Sequence, residues 1–465
     1  MLMHDDNTDD AEGRIAAAVR AAADALPAGS RLPSVRALMA THHASPVTVQ
    51  RAVARLAAQG IVEPRPGRGT FVAATPAGVP VADLSWQQVP LPGVALDTCG
   101  LDELLALAPT GAIALSSGYM EPALQPVTAL AAALGRAGRR PGAWGRLPVE
   151  GLPELRDWFA RQAGGELAGH DVVISSGGQS ALGTTFRALG APGDTVLVES
   201  PTYNGALAAA RAAGLVTVAV PADADGVRPE LLADALERTG SRIVYMQPAF
   251  ANPHGATLSA ERRVEVMAAV RAAGAFVVED DWASDLAIDG AAPAPLVADD
   301  PDGHVVHLRS LTKAAAPGLR IAAVAARGAA GARLRAARVV DDFFVSGPLQ
   351  HAALDLVSSP AWRTHRRRLR TGLRERRDAL AGAVAGVPGL DVGPLPRGGL
   401  HLWARLPDGT DDEEVARRAA AVGVVVSPGR RWFPGEAPGP YLRLTYAAEP
   451  PARLLEGVAR LAPVM

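Results

Sequence analysis

Lysine is almost absent from this chain of 465 residues. Lys313 is the only lysine, and lysine and arginine together number 46, so the other 45 basic positions carry arginine. A guanidinium stays protonated at any biological pH, whereas the amine of a lysine can lose its proton and attack a carbonyl carbon. A coding bias toward arginine is the alternative explanation, and the motifs around Lys313 decide between the two. We therefore treat Lys313 as a candidate for covalent chemistry.

Cysteine is equally rare, since Cys99 is the only one. A single cysteine excludes an internal disulfide and a cysteine-rich metal site, and no His, Asp or Glu cluster has metal-ligand spacing, so we expect no metal centre. The chain also lacks an uncharged apolar run of membrane-spanning length, and its acidic first ten residues lack the apolar core of a signal peptide. These absences predict a cytoplasmic protein, and we assign Cys99 no role.

The basic residues are unevenly distributed, although the net charge is only −2. Residues 28–75 hold six arginines against one glutamate, a local charge of six minus one, or +5. A compact basic module of this kind indicates an anionic partner. With composition and periodicity, it predicts a disordered acidic tail at 1–10, a DNA-binding domain at 11–75, a Pro- and Gly-rich linker at 76–112, and a large domain at 113–465.

The pattern of residues 11–75 predicts three helices followed by a hairpin. Apolar residues recur at helical spacing from Ile15 to Leu26, and Ser34 and the pair Ser45-Pro46 provide the start signals of two further helices. Short strands then flank a basic tip at 64–69. Helix, helix, turn, helix and basic hairpin describe a winged helix, whose third helix enters the major groove of double-stranded DNA.

This module resembles the GntR family of bacterial regulators. The resemblance rests on Leu32–Leu38, Thr48–Ala52 and Gly67–Val72, within about 60 residues. With the outward face expected for the third helix, it implies the following DNA contacts: Arg36, Thr48, Gln50, Arg51 and Arg68. The alternative is a small helical domain with a solvated basic face.

From about residue 165 onward, short apolar strands alternate with Ala-rich helices. This order predicts an α/β fold with a mostly parallel sheet covered on both faces. The expected strands are 172–174, 195–198, 216–220, 243–246, 275–278 and 305–308. In such a sheet, functional side chains lie at the carboxyl ends of the strands.

Polar motifs follow three of these strands. A glycine turn at Gly177-Gly178-Gln179 begins a helix whose N-terminus could hold a phosphate. The acidic residues Glu279–Asp281 directly follow the strand at 275–278, and Lys313 follows the strand at 305–308. Together with Arg320, they provide what pyridoxal 5′-phosphate needs. The amine forms a Schiff base, a carboxylate keeps the ring nitrogen protonated, and an arginine neutralises the phosphate.

Residues 113–465 resemble the fold-type I aminotransferases, with a smaller α+β subdomain implied at the end. The motifs occur in order: Ser176–Gln179, Glu199–Tyr203, Asn252–Gly255, Glu279–Asp281, Ser310–Lys313, Pro317–Arg320 and Tyr441–Leu444. The resemblance assigns phosphate binding to Gly178, Gln179, Ser310, Thr312 and Arg320.

The same resemblance assigns the remaining roles around the cofactor. Tyr203 would stack on the ring and Asn252 would bind its oxygen. Asp280 lies 33 residues before Lys313 and matches the family spacing for the ring nitrogen better than Asp281 does. Lys313, Asp280, Tyr203 and Asn252 are thus the implied catalytic residues, and Arg443 would bind a substrate carboxylate. The alternatives are core packing for Tyr203, a plain turn for Asn252 and a surface position for Arg443.

Two tryptophans depart from the family pattern. Trp282 stands where a tyrosine reaches the ring oxygen, and we include it among the cofactor contacts because its indole N–H can donate. Trp144 stands where the tyrosine usually reaches the phosphate of a neighbouring subunit. Loss of both hydroxyls predicts cofactor binding with slow turnover.

A stretch from Arg363 to Arg377 carries eight arginines against Glu375. One interpretation is the solvated face of a helix. The other is an additional DNA-facing surface on the large domain.

Both modules in one chain resemble the MocR subfamily of GntR regulators. The resemblance implies a homodimeric transcriptional regulator that binds an operator, holds pyridoxal 5′-phosphate and senses an amino acid or other amine through aldimine exchange at Lys313. A working aminotransferase with an accessory DNA-binding module is the second hypothesis. A regulator whose pocket has lost the cofactor is the third, and Lys313, Asp280 and Arg320 argue against it.

Overall fold

The computed structural model describes residues 6–73, 84–89 and 106–465. The chain divides into two compact units, Met1–Val94 and Ala95–Met465. Cys99 and the short helix that residues 101–105 could form lie outside the described residues.

The N-terminal unit is a winged helix, as the sequence predicts. Its core is a single apolar cluster in which Ile15, Leu38, Val49 and Leu56 are buried. The elements are α1 (Asp6–Asp24), α2 (Val35–His42), α3 (Pro46–Ala58), β1 (Val62–Arg65) and β2 (Gly69–Val72). The strands pair antiparallel with Arg65 opposite Gly69, so the basic tip is the turn between them.

Helix α1 begins inside the segment predicted to be a disordered tail. The prediction is wrong for residues 6–10, which are helical. Acidic residues are common there, and negative charge near the N-terminus of a helix is favoured by the helix dipole. Composition therefore did not predict the first residues of this helix, because the same acidic residues favour both a solvated tail and a helix start.

The C-terminal unit is built on an eight-stranded sheet. Its strands are β4 (Val172–Ser175), β5 (Thr195–Ser200), β6 (Val216–Asp223), β7 (Gly226–Val227), β8 (Ile243–Met246), β9 (Phe276–Asp281), β10 (Val305–Ser310) and β11 (Ala322–Ala325). Their order is β4-β11-β10-β9-β8-β5-β6-β7. Strands β10, β9, β8, β5 and β6 run parallel, whereas β11 is antiparallel to both neighbours and β7 is antiparallel to β6.

All six predicted strands are confirmed, and their apolar runs are largely buried except in β6, where Val216 is exposed and Val220 is buried. The sequence reading missed β7 and β11. Strand β11 consists of four small residues, Ala-Ala-Val-Ala, which give no alternation and little β-propensity. Its place in the sheet is set by pairing with β10 on one side and β4 on the other.

Helices surround this sheet and form the second part of the unit. They are α4 (Val127–Gly138), α5 (Pro153–Ala163), α6 (Gly178–Leu189), α7 (Asn204–Ala212), α8 (Pro229–Thr239), α9 (Ala260–Ala273), α10 (Gly328–Asp341), α11 (Gly347–Val357), α12 (Pro360–Val384), α13 (Asp412–Ala421) and α14 (Pro451–Leu461). None of the helices within the described ranges has the length and apolar character needed to span a bilayer.

The expected α+β subdomain is a small antiparallel sheet packed against the last helices. It contains β12 (His401–Arg405), β14 (Ser427–Pro428) and β15 (Tyr441–Thr445), with β15 in the middle. A separate parallel pair joins β3 (Ile113–Ala114) to β13 (Val424–Val425). One apolar cluster extends from this subdomain to the large sheet, so β12 and β15 are fixed relative to the strand ends.

Candidate cofactor pocket and DNA-binding surface

The turn between β4 and α6 is shaped by a glycine that no other residue could replace without strain. Gly177 has φ +100°, and a Cβ atom added there would lie 2.5 Å from Nη2 of Arg320. That guanidinium in turn donates to the carbonyl oxygen of Ser176 at 3.0 Å. The absence of a side chain at Gly177 lets the Arg320 cation lie directly against the start of α6. A cation and free helix N–H groups at one point form an anion site.

Strand β10 ends beside this turn and adds two hydroxyl groups. The backbone N–H of Thr312 donates to Oγ of Ser310 at 3.2 Å. The Thr312 hydroxyl is buried and has no hydrogen-bond partner among the described residues. A buried hydroxyl without a partner is costly, so this atom is suited to hydrogen-bond a bound group. A phosphate oxygen between Arg320 and Thr312 would satisfy it.

Lys313 follows directly and points into the same pocket. Its Nζ donates to the carbonyl oxygen of Gly118 at 2.7 Å and lies 3.9 Å from the centre of the Tyr119 ring. Burial, together with the nearby Arg443 and Arg320 cations and against the opposing effect of Asp280, lowers the pKa of Lys313 to about 7. A substantial fraction of the amine is therefore neutral at physiological pH and able to attack a carbonyl.

Asp280 is held by two donors on one oxygen. The Tyr245 hydroxyl and Nε2 of Gln247 each donate to its Oδ2 at 2.8 Å, which leaves Oδ1 for another partner. Burial raises the pKa of Asp280, and these two hydrogen bonds oppose the rise. Asp281 points to the other side of β9, where its Oδ2 lies 3.5 Å from Nη1 of Arg309. The structure thus brings Asp280, and not Asp281, to the pocket.

Tyr203 is the N-cap residue of α7. A Cβ added to Gly205 would be 2.2 Å from Cζ of the Tyr203 ring, so the ring occupies the space left by that glycine. Its hydroxyl donates to Oε1 of Gln179 at 3.1 Å, while Nε2 of Gln179 donates to the Gly205 carbonyl oxygen at 2.7 Å. Tyr203 is thereby fixed as a wall of the pocket.

Arg443 is a buried cation with only 1% of its surface exposed, which excludes the surface alternative. Its Nη1 donates to Oδ1 of Asn252 at 3.2 Å, its Nη2 donates to the Ser116 carbonyl oxygen, and its guanidinium carbon lies 4.2 Å from the centre of the Trp432 ring. Burial lowers the pKa of Arg443 to about 9. A desolvated cation whose partners among the described residues are all neutral favours an incoming anion.

Trp282 lines the pocket and stacks on His401, a residue that the sequence analysis missed. The two ring centres are 6.1 Å apart, with 21° between the planes. The Trp282 indole N–H is buried and has no partner among the described residues. Tyr119, Gln247 and His401 also line the pocket without having been predicted. Of these, Gln247 alone carried a usable signal, since it directly follows β8.

These side chains meet in a single cavity of about 790 Å³, counting the part that is open to solvent. Every residue predicted to contact the cofactor or the substrate lines it: Lys313, Asp280, Tyr203, Asn252, Gly178, Gln179, Trp282, Ser310, Thr312, Arg320 and Arg443. The glycine cradle at Gly177, the free Thr312 hydroxyl and the free Asp280 oxygen suit the phosphate and ring nitrogen of pyridoxal 5′-phosphate. Among the described residues, no three His, Cys, Asp or Glu side chains lie close enough to hold a metal ion.

Two further predictions concern residues outside this cavity. Trp144 has 78% of its surface exposed, and its indole donates to the Gly138 carbonyl oxygen at 2.9 Å. The arginines from 363 to 377 lie on α12, and neither interpretation of them holds for the whole stretch. Arg376 and Arg377 are buried and bind Glu121 and Asp289, because α12 packs along the subdomain and not on its surface alone.

On the winged helix, four of the five predicted DNA contacts are exposed: Arg36, Gln50, Arg51 and Arg68. The fifth, Thr48, was expected to point outward, and this is wrong. Its side chain is 6% exposed, and its Oγ1 lies 2.8 Å from Oγ of Ser45. Ser45 also accepts the Thr48 backbone N–H at 3.2 Å, so Thr48 forms part of the N-cap of α3.

The family comparisons agree with both units. Residues 110–461 match the family described as aminotransferase class I and II, and residues 12–72 match the bacterial regulatory proteins of the gntR family. The chain is 30% identical to the HTH-type transcriptional regulator TauR of Rhodobacter capsulatus over 455 residues, which cover 93% of this chain and 92% of TauR.

Enzymes match the large domain. The chain is 31% identical to 2-aminoadipate transaminase of Thermus thermophilus over 387 residues, covering 81% of this chain and 96% of that enzyme. The crystal structure of LysN, an α-aminoadipate aminotransferase from Thermus thermophilus, has a TM-score of 0.73 at 28% identity and covers 82% of this chain and 98% of LysN. That structure contains N-(5′-phosphopyridoxyl)-L-leucine.

The match to the aminotransferase family extends over most of the chain, and the regulator TauR matches nearly all of it. The cofactor of this fold is pyridoxal 5′-phosphate, and the gntR-type domain binds DNA. The chain therefore belongs to the aminotransferase class I and II family and, with its gntR-type winged helix, is a DNA-binding transcriptional regulator of the MocR subfamily.

Proposed function

We propose that the cofactor-binding domain senses an amino acid or a related amine and thereby controls how a homodimer of this chain binds its operator. The observation that carries this proposal is the cavity around Lys313, which combines a nucleophilic amine with a buried, uncompensated Arg443 cation. An amine and a carboxylate are the two groups that such a cavity recognises. The same chain carries an exposed basic helix suited to DNA.

When bound, pyridoxal 5′-phosphate supplies an aldehyde that condenses with amines and a ring that accepts electrons. Lys313 would hold the cofactor through Nζ, and its lowered pKa allows it to leave and return as a neutral amine near pH 7. Arg320 and Thr312 would bind the phosphate, and Oδ1 of Asp280 would hold the proton on the ring nitrogen. Asn252 would contact the ring oxygen, and Arg443 would orient the carboxylate of the effector.

Control of DNA binding requires that the effector bind two arrangements of the protein with different affinity. The exchange of amines at Lys313 provides such a difference, because it releases the side chain that otherwise holds the cofactor. A homodimer would present two winged helices, so we expect an operator with two half-sites. We retain the expectation of a cytoplasmic location, where operator DNA is found.

The sharpest test begins with the DNA that the purified protein retains from fragmented genomic DNA. The retained fragments identify the operator, and operator affinity is then measured with each of the twenty standard amino acids in turn. We expect at least one amino acid to change operator affinity about fivefold or more, since coupling free energies of 1–3 kcal/mol are typical. Lys313→Ala should abolish that response and retain operator binding. A response that persists in Lys313→Ala would contradict sensing at this site.

A working aminotransferase is the second candidate, and the lowered pKa of Lys313 favours it. Trp282 distinguishes the enzyme from the sensor, since it supplies an indole in place of a hydroxyl near the ring oxygen. We expect slow transamination in the wild type and a several-fold increase in Trp282→Tyr, measured as loss of the absorbance of the covalently bound cofactor. Wild-type turnover of about 1 s⁻¹ or faster, the low end for ordinary enzymes, would favour the enzyme over the sensor.

A further inference from the structure

His401 is a buried histidine at the start of β12 that no predicted role includes. It is 4% exposed and lines the cofactor cavity. Its Nε2 lies 3.3 Å from Nη1 of Arg443, on the neighbouring strand β15. Because a guanidinium cannot accept a hydrogen bond, His401 must be the acceptor in this pair. His401 is therefore a neutral imidazole whose proton is on Nδ1.

The charges around the ring enforce this neutral state. Burial lowers the pKa of His401 well below its ordinary value, and the cations of Arg443 and Lys313 lower it further. The charges that act on the ring are the Arg443 and Lys313 cations, so protonation would add a positive charge next to like charges. His401 thus remains an acceptor for Arg443 throughout the physiological pH range.

The hydrogen bonds of Arg443 show which of its N–H groups are occupied, including the one that His401 accepts. A guanidinium has five N–H groups. Asn252 and His401 take the two on Nη1, and the Ser116 carbonyl oxygen takes one on Nη2. The Nε–H has no partner among the described residues, and Nη2 makes no second hydrogen bond within the same part of the chain. These two N–H groups are the donors that remain for a carboxylate.

The rings on either side hold the arrangement in place. Trp282 packs nearly parallel to His401, and Trp432 packs against the guanidinium of Arg443. The Trp282 ring also lies 3.6 Å from where a Cβ of Gly399 would be, so the indole fills the space beside the turn that leads into β12. Trp282, His401 and Arg443 form a continuous row from the ring end of the cavity to its carboxylate end.

We propose that His401 is a positioning residue for the effector carboxylate: its neutral imidazole, held by Trp282, fixes the Arg443 guanidinium so that two N–H groups face the carboxylate. The inference rests on the proposed sensing function and adds a requirement to it. The effector should be an amino acid and not a simple amine, and the preference should depend on an acceptor at position 401.

The test compares each amino acid with the amine that lacks its carboxylate, for example L-phenylalanine with 2-phenylethylamine. Holoprotein is titrated with all twenty standard amino acids and, for those that change the cofactor absorbance, with the matching amine. The ratio of the two dissociation constants isolates the contribution of the carboxylate. In the wild type we expect the acid to bind at least tenfold more tightly than the amine.

Two variants distinguish positioning from simple filling of space. His401→Phe keeps the ring for stacking on Trp282 but removes the acceptor. We expect its preference for the acid over the amine to be about tenfold smaller than that of the wild type. His401→Gln restores an acceptor oxygen and should retain the preference within about threefold. The ratio of the two dissociation constants is the readout in both variants, because a general change in the cavity would alter the affinities for acid and amine equally. His170→Phe, at an exposed position far from the cavity, is the control for a histidine-to-phenylalanine change.

Three outcomes would overturn the inference. If His401→Phe keeps the wild-type preference, or weakens acid and amine equally, His401 does not position Arg443, although the sensing function would stand. If His401→Gln loses as much as His401→Phe, the acceptor atom is not what matters. If no amino acid binds the wild-type holoprotein, the proposed sensing function fails and the inference fails with it.

Discussion

The two units of this protein place their functional side chains in opposite environments. The winged helix exposes Arg36, Arg51 and Arg68 to solvent, whereas the large domain buries Asp280 and Arg443 and leaves Lys313 only partly exposed. Contacts to DNA phosphates need solvated cations, whose attraction extends through water and weakens with salt. Covalent chemistry needs desolvation, because burial is what lowers the pKa of an amine to about 7.

The comparison also shows why the same residue type serves two purposes. Arg36, Arg51 and Arg68 of the winged helix are cations on an exposed surface. In the cavity, Arg443 is held by Asn252, Ser116 and Trp432. A charge without a counterion is tolerated in the cavity only because these contacts satisfy part of it.

Lys313→Ala gives the largest expected effect and separates the two units. We expect complete loss of covalently bound cofactor, because no other lysine exists, together with operator binding close to that of the wild type without effector. Borohydride reduction followed by peptide mass spectrometry checks the first point. Lys313→Arg, which keeps the charge without a nucleophile, should behave in the same way. Attachment at the N-terminal amine would contradict the assignment.

Arg51→Ala tests the winged helix against the correction at Thr48. If Arg51 reads a base, its loss should cost about 1–3 kcal/mol of operator affinity, roughly five- to 150-fold. Thr48→Val removes the hydroxyl that contacts Ser45 and should lower the stability of the unit by about 1 kcal/mol, with little change in affinity. Binding isotherms and thermal unfolding measure both. Equal losses of operator affinity in the two folded variants would indicate that Thr48 contacts DNA.

Gly177→Ala probes the phosphate end of the cavity. A Cβ there meets the Arg320 guanidinium, and φ +100° is itself strained for alanine by about 1–3 kcal/mol. We expect cofactor affinity to fall at least tenfold, as measured by titration of the apoprotein with pyridoxal 5′-phosphate. Gly318→Ala is a close control, since a Cβ at that position has open space around it. Similar losses in both variants would show general destabilisation instead.

The smallest effect is a shift in pH dependence. The neutral form of Lys313 is the reactive one, so attachment of the cofactor should accelerate as pH rises through about 7 and level off above it. Arg443→Met removes a cation that lowers the pKa of Lys313, so the midpoint should move to higher pH. The rate at which the bound cofactor's absorbance appears measures both. A midpoint near the ordinary lysine pKa of about 10 in the wild type would mean that the amine is not buried as described.

Local patterns in the sequence predicted most of the elements. Six strands and the helices and hairpin of the winged helix were predictable because periodicity, caps and glycine turns act over a few residues. The order of the cofactor motifs was implied by the resemblance to fold-type I aminotransferases. The tail at 1–10 and the direction of Thr48 were misread for the same reason. An acidic segment suits either a helix start or a solvated tail, and a threonine three residues after a serine can face outward or complete a cap.

The sequence by itself determined that Lys313 is the only lysine, and it predicted that polar residues at nearby strand ends form a cofactor site with it. Only the tertiary structure decided that Asp280 faces the cavity while Asp281 does not, that His401 contacts Arg443, and that Trp282 stacks on His401. Trp282 and His401 are separated by more than 100 positions, and their contact depends on the pairing of β12 with β15 and on how both pack against the large sheet. Short-range patterns cannot specify such contacts, because they arise from the burial of shared apolar surface between elements that are distant in the chain.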